Sequence, residues 1–123
     1  MTAIAGLHHV QLSGPAGCEE DARAFYGLVL GVPEVAKPAA LAARGGVWFR
    51  SDAVEIHIGV DPDFAPQKKA HPGLLVDDLD GMAKRIEDAG GEVEWDELFP
   101  GFRRCYARDP FGNRLELLEP LDS

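Results

Sequence analysis

The sequence predicts an α+β fold in which one motif, a strand followed by a helix and three strands, is used twice. Three observations carry this reading. Each half opens on a strand that holds a histidine, His9 in GLHHVQL and His71 in AHPGLLV. An amphipathic stretch follows each histidine, acidic at its start and stopped by glycine at Gly31 or Gly90-Gly91, which is the charge bias and stop signal of a helix. Each half then closes on a strand that contains a glutamate, Glu55 in AVEIHIGV and Glu116 in RLELLEP. Identity between the halves is slight, so it is the order of elements that repeats.

The elements follow in order. Residues 5–13 alternate and read as the first strand. CEEDARAFYGLVLG reads as a helix, with Ala22, Phe25, Leu28 and Val29 as its apolar stripe and Pro33 closing off any continuation. ALAAR is helical by propensity, but a second strand is needed there to complete the motif, and a strand is the expectation. VWFR and AVEIHIGV form two strands around a turn at Ser51-Asp52. After the Pro-rich DPDFAPQK the motif restarts. Pro72 removes a ladder donor directly after His71, so that strand should begin late or lie on an edge. DDLDGMAKRIEDAGG is the second helix, and EVEWDEL, RRCYAR and RLELLEP are the remaining strands. DPFGN between the last two is a turn, with Gly112 or Asn113 in a left-handed conformation. Trp48, Phe49 and Trp95 are expected in the core. The whole of 1–123 reads as a single domain, with modules at about 5–61 and 70–120.

Composition narrows the class. At 123 residues, 46% hydrophobic and 27% charged, the chain is an ordinary globular domain. Twelve basic against 21 acidic residues give a net charge of −9, which repels nucleic acid and anionic membranes; neither is an expected partner. Cys18 and Cys105 form no CxxC pair, which fits a reducing cytoplasm. The start MTAIAGLHHVQL lacks the basic region of a signal peptide, and no apolar run approaches the ~20 residues of a membrane span.

Strand parity points to the chemistry. His9, Gln11 and Ser13 share one face of the first strand, and Glu55 and His57 share one face of the fourth. In the last strand Leu115 and Leu117 face one way, Glu116 and Leu118 the other, so a carboxylate lies in a strand apolar on both sides. A bare buried carboxylate costs several kcal/mol unless paired or bound to metal. Imidazoles and carboxylates converging on one cavity suit a divalent first-row metal. The structural alternatives are a hydrogen-bonded histidine and a Glu116 paired with Arg104 or Arg114. Gln11, Trp48 and Arg104 are candidate substrate contacts.

GLHHVQL, ARAFYGLVLGV, AHPGLLVDDLDGM and DPFGNRLELLEP, running from Gly6 to Pro120, together resemble the vicinal oxygen chelate superfamily. It includes glyoxalase I, methylmalonyl-CoA epimerase, extradiol dioxygenases and the fosfomycin and bleomycin resistance proteins. The resemblance implies a glyoxalase-like fold, two βαβββ modules forming a partly closed eight-stranded barrel-like sheet around one cavity. It places a divalent metal (Ni, Co, Mn, Fe or Zn) on His9, His71 and Glu116, with His57 or Glu55 as the fourth ligand, and Glu116 or Glu55 as a catalytic base. The implied function is lyase, isomerase or epimerase chemistry on a small substrate with neighbouring oxygens, in a homodimer. The alternatives are a metal-free drug- or metabolite-binding protein and a small extradiol dioxygenase. On this reading Glu116 points into the cavity beside His9 and His71, and Glu116→Gln costs the metal-free protein little.

Overall fold

The computed structural model describes residues 3–122. Its strands form two four-stranded mixed sheets. The first contains β1 (Val10–Gly14), β2 (Glu34–Val35), β3 (Val47–Arg50) and β4 (Glu55–Val60) in the order β1-β4-β3-β2. The second contains β5 (Gly73–Leu75), β6 (Val93–Asp96), β7 (Phe102–Arg108) and β8 (Arg114–Pro120) in the order β5-β8-β7-β6. Each sheet pairs its first and last strands in parallel and the others antiparallel, so the repeated motif is present in both halves. The sheets are not closed into one barrel by strand pairing.

Helix α1 (Glu19–Ala22) runs on into a π-helical segment, Arg23–Val29. Here the Leu30 N–H donates to the Phe25 carbonyl five residues back. That wider turn rotates the expected stripe. Ala22, Phe25 and Tyr26 are buried, whereas Leu28 is 75% exposed. ALAAR is not a strand. Short helix α2 (Ala39–Ala42) begins after Pro38, as alanine propensity and proline at a helix start favour, and the second strand is the two-residue β2 instead. Helix α3 (Leu79–Asp88) has Asp78 as N-cap, accepting from the Gly81 N–H. As Pro72 implied, β5 starts only at Gly73 and lies on a sheet edge.

The apolar faces of both sheets share one core. Phe49, Ile56 and Ile58 of the first sheet and Cys105, Leu115 and Leu117 of the second are buried with Tyr26, Leu79 and Ile86 from the helices. Trp95 is exposed rather than in the core, lying under Arg103, and Trp48 is half-buried on the opposite face of its sheet. Cys18 and Cys105 are buried free thiols. Among the described residues no helix is long and apolar enough to cross a membrane.

A buried polar clasp joins the halves. Asp109 Oδ2 accepts from the Tyr26 hydroxyl at 2.7 Å and from Asn113 Nδ2 at 2.8 Å. Its Oδ1 accepts from the Phe111 and Asn113 N–H groups, and Asn113 Nδ2 also donates to the Ser13 carbonyl on β1. The DPFGN turn forms through Gly112, at φ +91°, while Asn113 keeps a negative φ and serves as the bridge. Tyr26→Phe removes one buried hydrogen bond to a carboxylate, an expected loss of about 1.5–3 kcal/mol. Urea unfolding with an unchanged m-value measures it; a variant as stable as the parent shows that the clasp carries no such weight.

Candidate functional site

With Ile56 and Ile58 facing the core, Glu55 and His57 are left on the other face of β4, together with Trp48 of β3 opposite His57. His57 Nε2 donates to Glu55 Oε2 at 2.7 Å. His57 is 4% exposed, and its ring is held between two others. It stacks on Trp48, centroids 3.8 Å apart at 2°, and on His9, 4.0 Å apart at 17°. Burial pushes His57 below the ordinary imidazole value, against the opposing pull of Glu55, and its hydrogen bond holds the Glu55 carboxyl below its usual range. His57 is therefore neutral at neutral pH, with its proton on the nitrogen that faces Glu55. His9 lies just before β1 and is exposed, its Nδ1 2.9 Å from His8 Nδ1. Gln11 stands opposite His57 in register and lies over Gly59, where any Cβ would come within 2.5 Å of the Gln11 amide nitrogen.

The second sheet carries the other set. Leu115 and Leu117 pack into the core, so Glu116 turns outward, yet it is only 8% exposed. Its Oε2 accepts from Arg104 Nη1 at 2.9 Å and its Oε1 lies 3.0 Å from His71 Nε2. The carboxylate is thus paired rather than bare. Burial raises its pKa, but the hydrogen bonds and charges of Arg104 and His71 outweigh burial and hold it below the usual range. The Arg104 fork also grips Asp96 at 3.1 Å. His71 Nδ1 lies 2.6 Å from the Lys69 carbonyl. A carbonyl only accepts, so Nδ1 carries the proton.

The expected residues therefore gather as two sets: His9, His57, Glu55, Trp48 and Gln11 on the first sheet, His71, Glu116 and Arg104 on the second. Among the described residues no three His, Cys, Asp or Glu side chains gather at one point that could hold a metal ion. The expected ligands thus lie in two separate groups and form no four-ligand centre among the described residues. Sequence reasoning missed Tyr106, which lies opposite Glu116 in register and meets His71 edge-on at 5.5 Å. The alternation of Arg104, Tyr106 and Arg108 with buried Cys105 and Ala107 was the available signal.

The chain belongs to the glyoxalase-like domain family, whose model matches residues 18–118, and so to the vicinal oxygen chelate superfamily that its motifs resemble. It is similar to a proposed glyoxalase family protein from Bacillus anthracis, at 45% identity over 98% of this chain and 99% of that one, TM-score 0.92. Two more distant structures share the fold. One is a variant of the fosfomycin resistance protein FosX from Listeria monocytogenes, complexed with Mn(II) and 1S,2S-dihydroxypropylphosphonic acid (20% identity, 96% and 94% covered, TM-score 0.78). The other is the antibiotic-binding protein TnmS3 from Streptomyces (24%, 96% and 99%, 0.68). No curated protein matches the sequence.

Because Glu116 is paired rather than bare, its replacement by glutamine is expected to destabilise the metal-free protein. The group's folded pKa is depressed, so its contribution is present above the ordinary carboxylate range and fades as pH falls toward the folded value. Melting temperatures of wild type and Glu116→Gln should differ at pH 7 and converge on acidification through that range. A gap that stays constant with pH contradicts the pairing.

Proposed function

We propose that the protein is a small metal-dependent enzyme of lyase, isomerase or epimerase type, acting on a substrate with two neighbouring oxygens, and that two copies of the chain complete its site. One observation carries this reading. His71 Nε2 and Glu116 Oε1 face each other at 3.0 Å while the Lys69 carbonyl holds the proton on the far nitrogen, the orientation that a carbonyl partner gives to metal-ligating histidines. His71 and Glu116 of one copy would hold the ion with His9 of the other, and the Glu55–His57 pair stands beside His9. A divalent ion in that place supplies Lewis-acid polarisation of the two substrate oxygens. The chain's own residues do the rest. Arg104 fixes the second oxygen of Glu116, the Trp48–His57 stack fixes the plane of His9, and Glu55 is the candidate base for a proton beside a carbonyl.

Pairing of copies is supported by what flanks each half-set. Leu7, two residues before His9, and Leu75 on β5 are exposed large apolar side chains, and β1, β2, β5 and β6 are open sheet edges. The acidic surface and unbridged cysteines support a cytoplasmic setting without nucleic-acid or membrane partners. A second reading, a metal-free protein that binds a drug or metabolite, is favoured by the partners that Arg104 and His71 already give both oxygens of Glu116.

Metal-stripped protein should therefore melt higher on addition of Ni, Co, Mn or Zn, by roughly 2.7 kcal/mol of stability at a hundredfold excess over Kd. Glu116→Gln should lose most of that gain, and light scattering at micromolar concentration should report about twice the 13.3 kDa of one chain. Equal metal response in wild type and variant would favour the binding protein.

A further inference from the structure

Two residues along β8 from Glu116, on the same face by strand alternation, lies Arg114. In register it stands opposite Arg108, as Glu116 stands opposite Tyr106. The Arg114 guanidinium sits over the Tyr106 ring, 4.0 Å from its centroid. Its one hydrogen bond among the described residues is a 3.4 Å contact to the Lys68 carbonyl, at the weak end of the range. Arg108 donates to the Gly112 carbonyl. Arg23, Arg103 and Arg104 are each in ion pairs. Among the described residues neither Arg108 nor Arg114 comes within 4.0 Å of a carboxylate oxygen.

Arg108 and Arg114 line a cavity of about 440 Å³, together with Tyr106, Glu87, Glu92 and Glu94. Glu94 stands opposite Tyr106 on edge strand β6, and the same register carries Glu92 opposite Arg108, so Arg108 has a carboxylate on the neighbouring strand. Arg114 is one strand further away: β7 lies between β6 and β8, and two strand spacings come to about 9–10 Å, beyond the screening length at physiological salt. A guanidinium held against an aromatic ring, with no carboxylate partner, is pre-oriented for a bidentate oxyanion. The Tyr106 ring lies under the Arg114 guanidinium and stands perpendicular to the His71 ring at 5.5 Å, so one ring lies between Arg114 and the His71–Glu116 pair.

We infer that Arg114, backed by Tyr106 and flanked by Arg108, anchors the anionic group of the substrate, a carboxylate, phosphonate or phosphate. Two residues along a strand span about 7 Å. The substrate class is therefore a small acid whose neighbouring oxygens lie a few bonds from its charge, the oxygens at His71 and Glu116 and the charge at Arg114. The placement of the oxygens rests on the function proposed above. The anion site does not, since it uses no metal ligand.

The test uses full-length protein stripped of metal and dialysed free of chelator, so that failure of the metal reading leaves it intact. Proton–nitrogen NMR spectra are followed during separate titrations with inorganic phosphate and acetate. At least one anion should shift the amides around Tyr106–Arg108 and Arg114, and the tighter of the two identifies the group. Arg114→Gln should weaken that binding roughly tenfold or more. Arg114→Lys, which keeps the charge and loses the fork, should fall between. Arg85→Gln, whose side chain holds the distant Leu28 carbonyl, should bind as the parent does. Absence of binding by the wild type, or equal binding by wild type and Arg114→Gln, overturns the assignment.

Discussion

Asp109 is a buried carboxylate in the turn between β7 and β8, and the arrangement of the two halves depends on how it is satisfied. A charge in that position is tolerable only with a full complement of donors, and Tyr26, Asn113 and two turn N–H groups supply them. The donors come from different parts of the chain. The π-helical turn delivers Tyr26, and the Asn113 amide continues on to the Ser13 carbonyl of β1. One carboxylate thus ties the first helix and first strand to the turn that launches β8. Arg114 and Glu116 follow directly from that turn, so the clasp sets where the second polar face begins relative to the first.

Each half spends its apolar face on the shared core, and the histidines and glutamates are what remains on the other face. That is why the candidate site appears as two half-sets. On the first sheet the rings of Trp48, His57 and His9 stack in sequence; on the second, Arg104 and His71 close around Glu116. In neither set do three possible metal donors converge at one point among the described residues. Both are bordered by exposed apolar side chains that a second copy of the chain would cover. A glyoxalase-like family membership agrees with this arrangement without selecting a reaction, since relatives of the same fold include a resistance protein complexed with Mn(II) and an antibiotic-binding protein.

Much of this was legible in the sequence because period-two alternation is rigid. Placing Leu115 and Leu117 inward forces Glu116 outward, and the same parity pairs Glu55 with His57 on one face. The DPFGN turn and the late start after Pro72 were legible for equally local reasons. The misses have physical causes too. A π-turn adds a residue to one helical turn, which no 3.6-residue stripe foresees, so Leu28 was placed inside and Tyr26 overlooked. ALAAR followed its own propensity against the pattern borrowed from the other half. Partner choice was the largest gap. Arg104 and Arg114 were equal candidates for Glu116 on sequence; in the structure Arg104, diagonal to Glu116 across β7 and β8, makes the pair, and Arg114 has no carboxylate partner among the described residues.

The central claim is that His9 and the His71–Glu116 pair belong to one site drawn from two copies. Complementation tests it directly. His9→Ala chains and Glu116→Gln chains are purified separately, stripped, mixed under conditions that exchange subunits, and assayed for bound metal after dialysis. Each parent alone should hold little metal, and the mixture should regain it, because a mixed pair contains one site with His9 from one chain and Glu116 from the other. A mixture as empty as its parents, in protein that light scattering shows to have exchanged, contradicts the account.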